Sequence, residues 1–409
     1  MNFYKLKINP QLLRGIADRG YKEMTAVQEQ TLAQTLQGRD VAVQSQTGTG
    51  KTAAFLITLF EHLASGKGSL EKKALIIVPT RELAVQIAKE ARLLNRYLGL
   101  GIGSFYGGVG YGAQLASLKR GLDVIIGTPG RLIDLSQKGQ LKLKNIKLLV
   151  IDEADRLFDM GFLPDIKKLL EAMPPRQIRQ SMLFSATVSR VSRKIAAEYL
   201  NHPLFIKVTP EKMTVDTILQ ELYYVKSHVK MNLMLGILKA QAPKRALIFT
   251  NMRYVAFRLA KRLQYNGFRC QYLTGDLPQG RRLKIIEDFM AGKFAFLVAT
   301  DVAARGLHID NLEMVINYDL PQNCENYIHR IGRTARAGNS GKAISLASEG
   351  TDNYLEAIES FMGMKIPVQK SDFELFRTDK SVEFFSRGSH RGDKSENRKQ
   401  KFFKKESRN

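Results

Sequence analysis

Short β-branched segments alternate with helical stretches from about residue 35 to residue 350, and this alternation restricts the fold of the 409-residue chain more than any other feature. The pattern is typical of βα units joined into parallel sheets. A segment at 208–216, which contains Pro210 and several polar residues, interrupts it and predicts an interdomain linker. Strands are predicted at 41–43, 74–78, 124–126, 148–151 and 182–184 before this linker, and at 246–249, 271–273, 296–298, 314–316 and 343–346 after it.

The length of the chain suits two domains, because a single compact core rarely grows beyond ~250–300 residues. The predicted fold class is therefore α/β, with two architecturally similar halves. The predicted boundaries are 1–208 for the first domain, 209–216 for the linker, 217–370 for the second domain and 371–409 for a disordered basic tail. Between 386 and 409 the tail has nine Lys or Arg residues against three acidic residues, with Gly, Ser and Asn interspersed.

The charge of the chain predicts a polyanionic partner. Lys and Arg total 63 against 39 Asp and Glu, a net charge of +24, and such an excess neutralises phosphates and releases condensed counterions. The alternative is that the positive charge only improves solubility. Cys270 and Cys324 are too distant in sequence to suggest a disulfide framework, and no apolar run approaches the ~18 residues that span a bilayer. We therefore expect a soluble cytoplasmic protein with no secretory signal and no membrane association.

Polar clusters directly follow the predicted strands of the first half. They occupy 44–52, 79–81, 128–131, 152–153 and 185–187. In open α/β sheets, ligands bind outside the carboxyl ends of the strands, where loops and helix N-termini converge. Five clusters at five strand ends therefore predict one continuous functional edge, whereas ordinary turns would scatter such residues.

The first cluster has the pattern of a phosphate-binding loop followed by a helix. Gly48 and Gly50 let backbone N–H groups point at phosphate oxygens, and the helix N-terminus adds a favourable dipole. Lys51 supplies a positive charge to the β- and γ-phosphates, and the hydroxyl of Thr52 can reach Mg²⁺. The strict GxxxxGK[ST] pattern fails only at its first position, where Ser45 stands. The predicted nucleotide-binding residues are Ser45, Gln46, Thr47, Gly48, Thr49, Gly50, Lys51 and Thr52.

Two adjacent carboxylates complete this prediction. Asp152 ends an apolar strand about a hundred residues after the loop, as a Mg²⁺-binding carboxylate in such a fold should. Glu153 can orient or deprotonate the attacking water. Loop and carboxylates together predict Mg²⁺-dependent hydrolysis of ATP or GTP.

With Asp152 and Glu153 the sequence reads DEAD, and here it resembles the DEAD-box RNA helicases of superfamily 2. The resemblance covers about residues 1–370 and implies two tandem RecA-like domains, each a mostly parallel sheet flanked by helices. Its motifs occur in the family's order: SQTGTGKT, PTRELA at 79–84, Gly107-Gly108, TPGR at 128–131, DEAD at 152–155, SAT at 185–187, LIFTN at 247–251, Gln279 with Arg282, ATDVAARG at 299–306 and HRIGRTARAG at 329–338.

The resemblance implies a role for several residues around the nucleotide. Gln28 resembles the glutamine that reads adenine, which implies ATP rather than GTP, and Phe3 resembles the aromatic residue that stacks on the base. Arg333 and Arg336 resemble two arginine fingers that reach the γ-phosphate from the second domain, so that hydrolysis is gated by domain closure. The residues implied to couple the nucleotide site to the geometry between the domains are Ser185, Thr187 and His329.

The resemblance also implies an RNA site. Its small residues, hydroxyls and arginines suit binding of the RNA backbone without reading base edges. Closure would bend one strand and open short duplexes locally, without sequence specificity. The implied contacts are Pro79, Thr80, Arg81, Gly108, Thr128 and Arg131 in the first domain, and Gly275, Gln279, Arg282, Thr300 and Asp301 in the second.

One departure from the family pattern and several open alternatives accompany the resemblance. His308 stands where most of the family has an aspartate, a feature similar to the bacterial subgroup that assists mRNA decay. A monomer is expected, and so is a protein partner in RNA decay or ribosome assembly. The basic tail is either a mobile RNA anchor or a solubilising segment. An ATP-dependent RNA clamp shares every motif with an unwinding enzyme, and a DNA-translocating helicase is a third alternative.

Overall fold

The computed structural model describes residues 2–45, 48–65, 73–187, 190–208, 218–304, 309, 312–334 and 341–381. These residues form two compact α/β units, and the chain passes from one to the other near residue 213. The predicted linker at 209–216 lies outside the described residues. None of the helices within them is long and apolar enough to cross a membrane.

The first unit contains a seven-stranded sheet in which every paired strand is parallel, in the order β3-β4-β2-β5-β6-β1-β7. Its strands are β1 Val41–Gln44, β2 Lys73–Ile77, β3 Ile102–Phe105, β4 Val124–Gly127, β5 Ile146–Ile151, β6 Gln180–Ser185 and β7 Leu204–Lys207. Its helices are α1 Pro10–Asp18, α2 Ala26–Thr35, α3 Lys51–Ser65, α4 Arg81–Leu94, α5 Gly112–Lys119, α6 Pro129–Gln137, α7 Ala154–Asp159, α8 Leu163–Glu171 and α9 Arg190–Tyr199.

The strands of this sheet alternate between two apolar layers. Val41 and Val43 of β1 belong to one core, together with residues of α1 to α4, whereas Ala42 belongs to the other, with residues of α6 to α9. Successive side chains of a strand point to opposite faces, and a parallel sheet is covered by helices on both. The five predicted strands are present, whereas β3 and β7 were not predicted.

The second unit contains a six-stranded parallel sheet in the order β10-β11-β9-β12-β13-β8. Its strands are β8 Ile218–Tyr224, β9 Ala246–Thr250, β10 Cys270–Leu273, β11 Phe296–Thr300, β12 Met314–Asn317 and β13 Gly341–Ala347. Its helices are α10 Lys230–Gln241, α11 Arg253–Tyr265, α12 Gln279–Met290, α13 Asp301–Ala304, α14 Cys324–Ile331 and α15 Asp352–Met362.

The folded part of the second unit continues past the predicted boundary at residue 370. The side chain of Asp379 is 1% exposed and accepts hydrogen bonds from Arg262 Nε at 2.8 Å and from Asn266 Nδ2 at 2.6 Å. Leu375 packs on the apolar core next to α10 and α11. Residues 371–381 are thus part of the unit and not of a disordered tail, which corrects the prediction. The remainder of the predicted tail, 382–409, lies outside the described residues.

Candidate active site

The strand order divides the functional edge of the first sheet into two parts. Asp152, Ser185 and Ser45 stand at the ends of β5, β6 and β1, which are neighbours in the sheet. Backbone hydrogen bonds continue beyond these strands, from Ser45 N to Ser185 O and from Asp152 N to Ile77 O, both at 3.0 Å. Residues implied to bind RNA follow β3, β4 and β2 in the other part of the edge. The five predicted clusters therefore do form one edge, with the predicted nucleotide-binding residues and carboxylates in one part and the implied RNA contacts in the other.

The phosphate-binding loop is closed on itself by its own side chains. Lys51 begins α3, is 7% exposed and donates from Nζ to the carbonyl oxygen of Ser45 at 2.7 Å. The hydroxyls of Ser45 and Thr49 lie 2.6 Å apart. Gly48 has a φ angle of +83°, a conformation that L side chains rarely adopt. Thr52 lies half-buried in the first turn of α3, and the predicted residues Gln46 and Thr47 lie outside the described residues.

Gln28 connects the start of α2 to this loop. Its Oε1 accepts from Thr25 N at 2.9 Å, which completes a capping box, and its Nε2 donates to Gly50 O at 3.2 Å. Thr25 Oγ1 donates to Thr49 O at 2.7 Å. Gly50 has a φ angle of +93°, and a Cβ atom there would collide with the amide of Gln28. The loop is therefore held from the side of α2 by two hydrogen bonds.

The structure corrects the expectation that Phe3 presents a ring face to a base. Phe3 is 1% exposed, and its ring stacks on that of Tyr21 with centroids 6.0 Å apart. It belongs to the apolar core that also contains Leu12 and Ile16 of α1. In this arrangement, burial of the ring leaves no face open to an adenine.

Glu153 lies in a strained and buried position. Its φ and ψ angles are both 50°, the left-handed region that residues other than glycine rarely adopt. Its two carboxylate oxygens accept from Nη1 of Arg156 at 2.9 and 3.1 Å, and both side chains are less than 10% exposed. The backbone N–H of Glu153 donates to Asp152 Oδ1 at 2.9 Å. Arg156, which the sequence did not single out, thus holds the candidate general base.

Asp155 joins the DEAD segment to the SAT segment, a role that was not predicted. Its Oδ2 accepts from Ala186 N and Thr187 N, both at 3.0 Å, and from Thr187 Oγ1 at 3.3 Å. In return, the backbone N–H of Asp155 donates to Ser185 Oγ at 3.3 Å, and that hydroxyl donates to Thr187 O at 2.6 Å. These hydrogen bonds tie the two segments together. The position of Asp155 within the DEAD motif was the available signal.

The predicted RNA residues of the first unit surround the ends of β2, β3 and β4. Pro79 is buried, and the hydroxyl of Thr80 caps α4 by accepting from Leu83 N at 3.3 Å. Arg81 lies against the exposed Gly108, where a Cβ atom would collide with its guanidinium. Thr128 is the residue before α6 and is 9% exposed.

Arg131 is fixed beneath the exposed loop that follows β3. It is 8% exposed, and its Nη2 donates to Val109 O at 3.0 Å. Its guanidinium carbon lies 4.2 Å from the ring centroid of Tyr111, and Lys138 Nζ lies 4.3 Å from the same centroid. Hydrogen bonds from Lys138 and from the hydroxyl of Tyr111 lower the pKa of Asp134. This cluster sets the direction of Arg131 before any ligand is present.

Arg330 organises the corresponding edge of the second unit, and the sequence did not single it out. It is 1% exposed, and its Nε and Nη2 each donate to one carboxylate oxygen of Asp301 at 2.7 Å. It also donates to Asn251 Oδ1 at 2.9 Å, to Asp319 O at 2.6 Å and to Asn317 Oδ1 at 3.3 Å. The carboxylate of Asp301, predicted as an RNA contact, is therefore already paired with a buried arginine. The place of Arg330 in HRIGR was the signal.

The other predicted residues of the second unit lie around this network. Gly275 is exposed, Gln279 begins α12 and is buried, and Arg282 donates from Nη2 to Ala303 O at 3.4 Å. Thr300 ends β11 and is buried, as is Arg333, whereas His329 is half-buried. Arg336 and His308 lie outside the described residues. Beside the network, burial lowers the pKa of Lys230, whose ammonium lies 3.4 Å from Asp319.

Comparisons with known proteins identify the family to which the chain belongs. A family model described as "DEAD/DEAH box helicase" matches residues 25–195, and one described as "Helicase conserved C-terminal domain" matches residues 229–338. The protein described as "ATP-dependent RNA helicase RhlB" from Shewanella baltica is 44% identical over 92% of this chain and 87% of its own length. That from Pectobacterium carotovorum is 45% identical over 92% of this chain and 89% of its own length.

Solved structures confirm the predicted fold class. S. cerevisiae Dbp5 bound to RNA and ADP BeF3 is similar with a TM-score of 0.80 and 29% identity, over 91% of this chain and 96% of that chain. Mss116p bound to ssRNA and AMP-PNP is similar with a TM-score of 0.81 and 28% identity, over 90% of this chain and 78% of that chain. Given relatives more than 40% identical over nine-tenths of its length, the chain belongs to the DEAD-box family of ATP-dependent RNA helicases.

Proposed function

We propose that this ATP-dependent RNA helicase hydrolyses ATP when its two units close, and that closure grips RNA by its backbone and locally opens short duplexes without sequence preference. The observation that carries the proposal is the division of the functional edge. Phosphate-binding and carboxylate groups stand at the ends of β5, β6 and β1. The residues implied to bind RNA follow β3, β4 and β2 of the same sheet. The same sheet would therefore hold both the nucleotide and the RNA.

Mg²⁺-ATP is the nucleotide that the chemistry of the first unit favours. Mg²⁺ is commonly held by one or two carboxylates plus substrate phosphates and waters, which suits the single carboxylate of Asp152 together with the hydroxyl of Thr52. Gln28 keeps one amide hydrogen and one lone pair beyond its two hydrogen bonds, the pair that a glutamine uses to read adenine. When bound, Mg²⁺ would neutralise charge on the β- and γ-phosphates. Lys51, Glu153 and the arginines at 333 and 336 would then bind, orient and stabilise the reacting groups.

The hydrogen bonds between the DEAD and SAT segments support a coupling between the nucleotide site and the closure of the two units. Asp155 receives two backbone N–H groups and one hydroxyl of the SAT segment. Charge-assisted hydrogen bonds of this kind are roughly twice as strong as neutral ones. We propose that Ser185 and Thr187 act through Asp155 and not on the phosphates. We propose that His329 has the same coupling role in the second unit. A protein partner in RNA decay or ribosome assembly and a monomeric state remain predictions.

Steady-state ATP hydrolysis tests the proposal most directly. The rate should be low without nucleic acid, high with single-stranded RNA and low with DNA of the same sequence, because 2′-hydroxyl contacts distinguish the two backbones. Equal stimulation by DNA would favour the DNA-translocating alternative. A high rate with neither nucleic acid would remove RNA from the mechanism.

Strand displacement separates unwinding from clamping, the second candidate. A labelled RNA duplex with a single-stranded extension should release its short strand in the presence of ATP. Release should fall steeply as the duplex is lengthened, because local opening without translocation cannot clear a long duplex. ATP-dependent retention of single-stranded RNA without any displacement would favour the clamp.

Deleting the basic tail from Ser386 onward is expected to weaken RNA binding for all sequences alike. For every phosphate that the tail neutralises, its removal should reduce the slope of log K against log salt by about 0.7 for a single strand. The measurement is RNA affinity over a range of salt concentrations, for RNAs of unrelated sequence.

A matched variant of the tail separates charge from stacking. Replacing Phe402 and Phe403 by Ser keeps all nine Lys and Arg residues from Ser386 onward, so the salt slope of this variant should equal that of the intact chain. An unchanged slope after the deletion would show that the tail only improves solubility.

A further inference from the structure

Helix α11 carries a row of aromatic and basic side chains on the side away from the core, and all of them except the half-buried Lys261 are exposed. Tyr254, Phe257 and Tyr265 are 64%, 40% and 42% exposed, although large aromatic side chains usually contribute most to a core. Arg258 and Lys261 stand between them, at positions that place all five residues on one helix face. We call these five residues the aromatic–basic face. The opposite face is buried through Ala256, Leu259, Ala260 and Leu263.

The charge of this helix has a single sign. Its sequence, RYVAFRLAKRLQY, contains four Arg or Lys residues and no Asp or Glu. Hydrogen bonds link two cations of the aromatic–basic face to neutral neighbours. Arg258 Nη1 donates to the hydroxyl of Tyr254 at 3.0 Å and lies over its ring, and Lys261 Nζ donates to Gln264 Oε1 at 3.3 Å. Arg262, on another side of the helix, is paired with the buried Asp379.

The face adjoins β10, the strand that leads to one of the implied RNA contacts of the second unit. The ring of Phe257 meets that of Tyr272 edge to face, with centroids 5.3 Å apart. Tyr272 lies in β10, the strand at the end of the described sheet order. Two residues beyond that strand is the exposed Gly275, one of the implied RNA contacts. From Tyr254 to Tyr265 the face extends about 16 Å along the helix.

This composition fits one class of ligand. Proteins that bind single strands combine positive charges that follow the backbone with aromatic side chains on which bases stack, and neither interaction depends on sequence. A protein partner that docked through apolar contacts would gain nothing from the unbroken positive charge of the face. A helix face that only contacts water would not expose three aromatic rings among its cations.

We propose that the aromatic–basic face of α11 binds single-stranded RNA that continues beyond Gly275, so that the enzyme holds a longer strand than its motifs contact. The inference rests on the proposed binding of RNA at the strand ends of the second unit. Tyr254 and Tyr265 offer stacking surfaces, and Arg258 and Lys261 offer phosphate contacts. The face would favour long single-stranded substrates over short ones.

Two RNAs of about 6 and about 20 nucleotides test the proposal on the full-length chain, one near the lower end of the ~4–16-nucleotide site sizes of single-strand binders and one beyond the upper end. Tyr254→Ala should weaken binding of the long RNA roughly tenfold, as expected for the loss of one stacked base, and should leave the affinity for the short RNA unchanged. Arg258→Gln with Lys261→Gln should lower the salt slope for the long RNA by about 1.4. The control is Phe361→Ala, which removes a 58% exposed aromatic ring from α15, a helix with no Lys or Arg.

The outcomes separate this inference from the proposed function. Unchanged affinity of Tyr254→Ala for the long RNA, with an unchanged salt slope of the Arg258 and Lys261 variant, would overturn the inference while short RNA still stimulates ATP hydrolysis. Failure of short RNA to bind the intact chain would instead contradict the proposed RNA site itself. Equal weakening of both RNAs by Tyr254→Ala would also overturn the inference, and thermal unfolding of the variant would then identify a folding defect.

Discussion

Arg336→Ala is expected to lower kcat for RNA-stimulated ATP hydrolysis by about 10³- to 10⁵-fold, the range for arginine fingers in phosphoryl transfer. An arginine finger stabilises charge that develops on the transferring phosphoryl group, so its loss acts on the transition state more than on the ground state. The Kd for ATP should therefore change far less than kcat. The measurement is steady-state hydrolysis at saturating RNA together with direct ATP binding.

The control for this variant is Arg269→Ala. Arg269 is exposed and stands before β10, at the end of the strand opposite to the functional edge, so its loss should leave kcat unchanged. If Arg336→Ala retained a rate within a few-fold of the intact enzyme, the finger assignment would be wrong. A loss of the same size with Arg333→Ala alone would need a thermal unfolding control, because Arg333 is buried at 5% exposure.

Glu153→Gln is expected to keep ATP and RNA binding while lowering the hydrolysis rate by about 10²- to 10⁴-fold, the usual contribution of general acid–base catalysis. The amide cannot accept the proton of the attacking water, whereas the Mg²⁺ ligand proposed at Asp152 is unchanged. Glutamine also keeps an oxygen that can accept from Arg156, whose Nη1 lies 2.9 Å from Glu153 Oε2. Single-turnover hydrolysis, with separate measurements of ATP and RNA affinity, checks this expectation.

Glu171→Gln is the matched control, since Glu171 is an exposed glutamate at the end of α8 in the same unit. It should behave as the intact enzyme. Loss of ATP binding in Glu153→Gln would show that the carboxylate holds the nucleotide or the local fold and is not only a base. A normal hydrolysis rate would exclude Glu153 as the residue that activates water.

Local sequence signals were sufficient to predict the strands that directly precede the functional residues. The apolar runs at 74–78 and 148–151 stand out because both faces of a parallel strand are buried, so their residues are almost uniformly apolar. β3 and β7 gave weaker signals. β3 contains Gly103 and Ser104, and β7 is a four-residue strand at the sheet edge with three exposed residues.

Segment boundaries and side-chain partners were less accessible from the sequence. The weak periodicity of residues 371–381 is typical of a tail, yet Asp379 is buried against Arg262 of α11 and Asn266 directly after that helix, which precede it by more than a hundred residues. The ring of Phe3 was expected at the nucleotide, but the core around α1 covers it. In both cases the deciding contacts are distant in sequence, and no local pattern reports them.

By itself, the sequence determined the α/β class, the residues that end the predicted strands and the chemistry that those residues can perform, because each depends on neighbours within a few positions. Only the tertiary structure decided which strand ends are adjacent. The order β3-β4-β2-β5-β6-β1-β7 brings Asp152, Ser185 and Ser45 together, and it places the residues implied to bind RNA in the other part of the functional edge. The same holds for Arg330, which joins Asp301 to Asn251 across the second sheet. Strand order is set by the crossing of helices over a sheet, a property of the whole packed unit.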